Sequence, residues 1–266
     1  MIFSKFDGAG NDFVIVDARE DDPGLTPEAI AHVCHRRKGV GADGLMLLTP
    51  AQGDYDFVMR YYNSDGLPAD MCGNGGRCIA VFAHLLGLGR VMDGEKHLRF
   101  LATDGPHEAT ILNWDNHRGQ GTVRLGMRDV PRCTLRRVLQ GWWLNTGVPH
   151  YVQPVSDLSL YDVVGEGRRL RHHPDLGAEG ANVNFVEQVG DCLHVRTYER
   201  GVEDETWACG TGVTACAIAL GVTHLSTRGG DFVVEYQSTP DLFTHVELTG
   251  PVSFNFKGEI TLPLSL

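Results

Sequence analysis

Short runs that mix β-branched, aromatic and aliphatic residues recur along the chain, and they predict strands. They form two sets of four, and turn sequences such as Asp65-Gly66 and Gly190-Asp191 separate the runs. The runs cover residues 12–16, 45–48, 57–62 and 98–103 in the first set, and 151–155, 184–189, 193–198 and 232–236 in the second. The pattern therefore predicts two β-rich halves.

Two segments, 75–86 and 212–220, have a helical composition and are apolar on nearly every face. A helix that is apolar all round must be buried on all sides. Each segment follows a cysteine in a glycine-rich turn, within "ADMCGNGGRC" (69–78) and "ACGTGVTACA" (208–217). We expect strands to surround one such helix in each half, and a surface helix over 26–38, which opens with Thr-Pro-Glu.

The two cysteine-containing stretches belong to a weak internal repeat. An offset of 137 residues carries Cys72 onto Cys209 and Tyr61 onto Tyr198, together with several glycines. A cysteine and a tyrosine that keep the same offset favour two homologous halves over chance. The predicted fold class is α+β, with two pseudo-twofold halves and an active site in the cleft between them.

The polar stretch 113–121 is the predicted crossing between the halves. We expect residues 1–116 to form the N-terminal half, completed by a C-terminal strand over 254–266. Residues 117–253 would form the C-terminal half.

Charge and composition exclude several classes of function. The formal net charge of −11 makes nucleic acid or an anionic membrane surface an unsuitable partner. No run approaches the roughly 20 apolar residues of a membrane span. The N-terminal "MIFSKFDGAGND" carries charges where a signal peptide has an apolar core, so a cytoplasmic location is expected.

The seven cysteines fit neither a disulfide framework nor a zinc site. An odd number without an export signal indicates reduced thiols. Cys72 and Cys78 have five residues between them, and Cys209 and Cys216 have six, whereas zinc pairs usually have two to four. No metal is predicted. The remaining three cysteines, at 34, 133 and 192, are expected to be small buried hydrophobic residues.

Cys72 and Cys209 each stand at a predicted helix N-terminus. Such an end presents N–H groups and a positive dipole, which bind a carboxylate and lower the pKa of a thiol. A lone cysteine nucleophile would not need a duplicate. Two facing thiols can instead remove a proton from one side of a carbon and return one to the other, which inverts a stereocentre. No cofactor is then required.

The chain closely resembles the diaminopimelate epimerase family over nearly its whole length. The resemblance rests on six motifs that occur in the order of the family: "FDGAGNDFVIVD", "YYNSDG", "MCGNGGRC", "ANVNF", "YERG" and "ACGTG". The resemblance implies an isomerase that converts LL- to meso-diaminopimelate, in lysine and peptidoglycan biosynthesis. It implies that Cys72 and Cys209 are the acid and base, and that His150 supports a thiol. It further implies substrate contacts from Gly73, Asn74, Gly210 and Thr211 at the inverted carbon, and from Asn11, Asn63, Asn182, Glu199 and Arg200 elsewhere. The partner is then a small amino acid, with a homodimer as a further expectation.

Two positions depart from the pattern of the family, and Gly44, where some members have glutamine, is one of them. Val148 stands in "GVPH" where the family usually has asparagine, which removes one amide expected at the distal end of the substrate. A racemase of another amino acid on the same scaffold is therefore an alternative. Two further alternatives are a non-catalytic binding protein, which the presence of both thiols disfavours, and a redox sensor in which two facing cysteines form a disulfide.

Overall fold

The computed structural model describes residues 1–262 and divides the chain into two compact units. The first comprises Met1–Leu125 and the chain from Pro251 onward, and the second comprises Gly126–Gly250. The predicted boundary at 116/117 falls in the hairpin turn between two strands. The observed division lies nine residues after it. Of the predicted C-terminal strand 254–266, residues 263–266 lie outside the described residues.

The first unit contains two helices and eight strands that follow one another in the sequence, together with part of one later strand. The elements are β1 (Ile2–Asp7), β2 (Asp12–Asp17), α1 (Pro27–Cys34), β3 (Gly44–Thr49), β4 (Phe57–Asn63), α2 (Gly73–Leu85), β5 (Arg90–Met92), β6 (Glu95–Ala102), β7 (Gly105–Asp115) and β8 (Gln120–Gly126). The unit is completed by the last residues of β18 (Leu242–Glu259), which pair antiparallel with β1.

The second unit has two helices and short connecting 3-10 turns. The elements are β9 (Val130–Pro131), β10 (Arg136–Val138), β11 (Gly141–Asn145), β12 (Pro149–Pro154), α3 (Val163–Arg171), β13 (Asn182–Val189), β14 (Cys192–Glu199), β15 (Asp204–Thr206), α4 (Gly210–Leu220), β16 (His224–Thr227), β17 (Gly230–Ser238) and the first part of β18. All eight predicted strand segments are confirmed to within a few residues.

Both units repeat one pairing scheme. In the first, β2 pairs parallel with β3, β3 antiparallel with β4, and β4 parallel with β6. In the second, β12 pairs parallel with β13, β13 antiparallel with β14, and β14 parallel with β16. The solved structures described below share this fold, and the predicted α+β class with homologous halves is confirmed.

The central helices are buried, as their sequences predict. In α2 every residue from Gly73 to Ala83 is buried, and in α4 eight of the eleven residues are. Both helices begin two residues earlier than predicted, directly after the cysteine, because the N-cap position falls on Cys72 and on Cys209. The glycines that follow each cysteine, which weaken the helical pattern of the sequence, are thus part of the helices.

Two helix predictions need correction. The surface helix predicted over 26–38 spans only Pro27–Cys34, because His35 has an extended backbone and closes it. The helix α3 was missed, since its two glycines and its arginines weaken the pattern. Its start is nevertheless encoded, because the Asp162 side chain accepts a hydrogen bond from the Gly165 N–H as an N-cap.

Candidate active site

The start of α2 forms the first half-site. Cys72 is the N-cap residue, and its carbonyl accepts the first helical hydrogen bond, from the Gly76 N–H at 2.7 Å. The N–H groups of Gly73, Asn74 and Gly75 precede that of Gly76, the first donor in the helical ladder, and face the N-terminal end. The positive end of the helix dipole therefore lies beside the Cys72 sulfur.

A fully buried arginine fixes the first turn of α2. Arg77 donates to the Gly73 carbonyl at 3.2 Å and to Asn74 Oδ1 at 2.9 Å. Burial lowers the pKa of the Arg77 guanidinium. These two bonds join the Arg77 side chain to the backbone of Gly73 and the side chain of Asn74, the residues that follow Cys72.

Asn11 is the predicted site residue that the structure places against Cys72. Its Oδ1 lies 3.6 Å from the Cys72 sulfur and accepts from the thiol, while its Nδ2 donates to Asp43 Oδ2 at 2.6 Å. Since a carboxylate only accepts, Asp43 settles which end of the amide faces the sulfur. Asn63 lies at the exposed end of β4, and its side chain makes no hydrogen bond within residues 1–262.

Asp43 belongs to an ion-pair cluster that sequence reasoning missed. Arg36 joins Asp43 to Asp12 with Nη2 distances of 2.7 and 2.8 Å, and the buried Lys5 pairs with Asp12 at 2.6 Å. Lys5 also donates to the Gly41 carbonyl. The cluster connects β1, β2 and the turn after α1, so it anchors the loop that carries Asn11. No alternation along β1 signals the cluster, because residues 3–6 are all buried.

Acid should weaken this cluster in a measurable way. Burial favours the neutral form of Asp12, but hydrogen bonds from Arg36 and Lys5 outweigh it and hold the pKa of Asp12 at about 2, against 3.8 for an ordinary Asp. The resulting stabilisation, about 2 kcal/mol, is fully present above about pH 5 and is lost as pH falls through 3.8 toward 2.

We expect Asp12→Asn to lower the free energy of unfolding in urea at pH 7, with a smaller difference from wild type at pH 3. The exposed Asp54→Asn should differ little from wild type at either pH. A deficit for Asp12→Asn that stays constant with pH would contradict the assignment.

The start of α4 forms the second half-site and contains four predicted residues. Cys209 is the N-cap, and its carbonyl accepts from the Val213 N–H at 2.8 Å. Thr211 Oγ1 lies 3.4 Å from the Cys209 sulfur and 3.0 Å from His150 Nε2. Gly210 is the first helical residue. The resemblance implies that His150 supports a thiol, and Thr211 Oγ1 contacts both His150 Nε2 and the Cys209 sulfur.

His150 is fully buried on β12 and stays neutral. Burial, together with the charge of Arg200, lowers the pKa of His150 to about 3. Because the imidazole is uncharged at physiological pH, it can act on the half-site only as a hydrogen-bonding group.

The other predicted residues of this unit cluster where β13 starts and β14 ends. Asn182 donates to the Pro149 carbonyl at 3.2 Å and accepts from the Arg200 backbone N–H at 2.7 Å. The Arg200 guanidinium pairs with the exposed Glu179 at 3.2 Å, and Glu199 accepts from Thr206 Oγ1 at 2.8 Å. Asn182 thus holds the backbone of Arg200, so the two residues form one structural group.

The remaining cysteines differ in exposure. Burial raises the pKa of Cys34 to about 12 and raises those of Cys78 and Cys216 far above the ordinary value, so these thiols stay protonated. The prediction that Cys133 is buried is wrong, because it lies in an exposed 3-10 turn, and Cys192 is half-buried. Within residues 1–262 no three His, Cys, Asp or Glu side chains converge as metal ligands would, and no helix could cross a membrane.

Comparison with solved structures gives the class of the fold. A probable proline racemase from Agrobacterium radiobacter K84 aligns with a TM-score of 0.72 and 17% identity, over 98% of this chain and 93% of the other. A hydroxyproline epimerase from Agrobacterium vitis aligns with a TM-score of 0.66 over 97% and 91%. The chain thus has the α+β fold of these proteins. In this chain a cysteine stands at the start of the buried helix in each unit.

Sequence relatives narrow the class to a family. The family model for diaminopimelate epimerase matches residues 3–126 and 142–248. A diaminopimelate epimerase of Flavobacterium psychrophilum is 41% identical, with 98% of this chain and 100% of the relative covered. One from Chlorobaculum tepidum is 40% identical over 96% and 99%. The chain belongs to the diaminopimelate epimerase family.

Proposed function

We propose that the protein interconverts LL- and meso-diaminopimelate by inverting one α-carbon with two thiols and without pyridoxal phosphate. The observation that carries this proposal is the cysteine at the N-cap of each buried helix, Cys72 and Cys209. Family membership and full-length similarity to proteins named diaminopimelate epimerase support the substrate. We further propose a cytoplasmic enzyme of lysine and peptidoglycan-precursor biosynthesis that forms a homodimer.

The reaction transfers two protons and exchanges the protonation states of the two cysteines. One cysteine, as thiolate, takes the α-proton and becomes a thiol. The electron pair left on the carbon then accepts the proton of the other thiol, which becomes a thiolate. During turnover both sulfurs must therefore reach the same carbon from opposite sides, and the two cysteines exchange roles with the direction of reaction.

The helix N-termini supply the electrostatic part of catalysis. Removing an α-proton places negative charge on the neighbouring carboxylate, and N–H groups and a helix dipole stabilise that charge as it develops. We assign this role to the backbone of Gly73, Asn74, Gly210 and Thr211. Asn63, Asn182 and Arg200 would bind the distal amino-acid end together with Asn11, and Glu199 would line the site.

Each thiol already has a hydrogen-bonding partner suited to one protonation state. Asn11 Oδ1 accepts from the Cys72 thiol, and the Thr211 hydroxyl can donate to a Cys209 thiolate. His150 would support Cys209 through that hydroxyl. These contacts let Cys72 donate as a thiol and let Cys209 accept as a thiolate.

The decisive assay uses reduced protein and LL-diaminopimelate in deuterated water, followed by proton NMR and chiral analysis. We expect loss of the α-proton signal and formation of the meso isomer. If only a different amino acid exchanged its α-proton, the two-thiol mechanism would stand and the substrate would be that amino acid. The valine at position 148, where the family usually has asparagine, would allow this outcome. Exchange with no amino acid would refute the proposal.

A further inference from the structure

Both ring nitrogens of the buried His150 have side-chain partners within the second unit. Nε2 lies 3.0 Å from Thr211 Oγ1, and Nδ1 lies 3.2 Å from the amide nitrogen of Asn184. A neutral imidazole carries one ring proton, which resides on one nitrogen or the other. The partners therefore decide which nitrogen donates and which accepts.

The orientation of the Asn184 amide follows from groups with a single hydrogen-bonding role. Its nitrogen donates to the Tyr151 carbonyl at 3.0 Å, and a carbonyl can only accept. Its oxygen accepts from Thr197 Oγ1 at 2.9 Å, across the antiparallel pair that Asn184 and Thr197 form in β13 and β14. The amide nitrogen therefore faces His150, and its second N–H donates to Nδ1.

A ring whose Nδ1 accepts must carry its proton on Nε2. That proton is donated to Thr211 Oγ1, so the Thr211 hydroxyl hydrogen is left to point elsewhere. The Cys209 sulfur lies 3.4 Å from the same oxygen. The chain of donors thus runs from Asn184 through His150 and Thr211 to Cys209, and burial keeps the imidazole of His150 neutral.

Tight packing against α4 holds the chain of donors in place. A Cβ added at Gly212 would lie 2.5 Å from Asn184 Oδ1 and 3.3 Å from His150 Cε1. Asn184 is completely buried, and Thr197 is nearly so. The bonds to the Tyr151 carbonyl and from Thr197 Oγ1 hold the Asn184 amide in this orientation.

We propose that Asn184 is a positioning residue that holds His150 in the Nε2–H tautomer and thereby directs the Thr211 hydroxyl toward the Cys209 sulfur. Its effect on turnover rests on the proposed function, whereas the tautomer itself does not. Asn184 lies two residues after Asn182 on β13, so both side chains project from one face of the strand.

The direct test is nitrogen-15 NMR of the histidine rings in wild-type protein at neutral pH, with His150 assigned by the signal lost in His150→Gln. We expect a protonated Nε2 and an unprotonated Nδ1. Asn184→Asp replaces the donor by an acceptor, so the proton should move to Nδ1. A wild-type His150 protonated on Nδ1, or an Asn184→Asp spectrum that keeps the Nε2 proton, would overturn the proposal.

Thr197→Val is the matched control, because it removes the bond to the Asn184 oxygen and leaves both amide N–H donors. It should keep the Nε2–H tautomer. In the epimerase assay Asn184→Asp should lower kcat on the order of tenfold or more with little change in KM, as loss of the group that fixes the tautomer of an active-site histidine does. Thr197→Val should lower kcat much less, and equal losses in both variants would indicate general disruption and count against the proposal. A wild-type protein inactive on every amino acid would refute the function and leave the tautomer result standing.

Discussion

Alanine at Cys72 or at Cys209 is expected to lower epimerase activity by about 10²–10⁴-fold in both directions, since each change removes one of the two acid–base groups. The fold should survive, because both residues are N-caps that make no side-chain cap bond. Activity is measured as meso isomer formed from LL-diaminopimelate, and the reverse, with circular dichroism to verify folding.

The matched control is Cys133→Ser, which alters an exposed thiol in a 3-10 turn and should keep full activity. A single-thiol mechanism makes a different prediction, because one of the two alanine variants would then remain active. Retention of inversion by either variant would therefore rule out the two-thiol mechanism, even if the protein is an epimerase.

Gly212→Ala should have the second-largest effect, because its Cβ would meet Asn184 Oδ1 at 2.5 Å in the tightest part of the second half-site. We expect overpacking to cost about 1–3 kcal/mol of unfolding free energy, of which the higher helix propensity of alanine restores up to about 1 kcal/mol. Displacement of Asn184 and His150 should lower kcat on the order of a hundredfold, as ångström-scale misplacement does.

Gly75→Ala provides the comparison, because residue 75 is the repeat equivalent of residue 212. There the new Cβ meets the flexible end of Met46 at 3.2 Å, and a methionine can move aside. Urea denaturation should show a near-neutral Gly75→Ala beside a destabilised Gly212→Ala. Equal destabilisation would mean that steric contact with Asn184 is not the cause.

The fold was largely predictable because the hydrophobic period and the repeat offset can both be read directly from the sequence. The strand β2, at Asp12–Asp17, is carried by the offset of 137 onto β12, at Pro149–Pro154. The helix α3 was missed because arginines and glycines obscure its apolar stripe, although α1 occupies the corresponding place in the first unit. The repeat could have revealed it.

The site was predictable only in part. Cysteines at glycine-rich helix starts carry a visible pattern, and the resemblance supplied His150 and the substrate contacts. The groups that orient those residues, such as Asp43 beside Asn11 and Asn184 beside His150, lie 32 and 34 positions away in sequence. No local pattern connects such pairs, because strand pairing brings them together.

The path of the chain has a consequence for biosynthesis. Strand β1 pairs with the end of β18, where Ile2 lies opposite Glu259, and the Met1 amino group donates to the Ile260 carbonyl at 2.8 Å. The first unit therefore cannot close until the ribosome has translated residues 251–259 of β18, whereas every residue of the second unit, Gly126–Gly250, is translated before them. Contacts between such distant residues form slowly. During synthesis the N-terminal segment thus waits with an open β edge, the kind of surface that chaperones protect from aggregation.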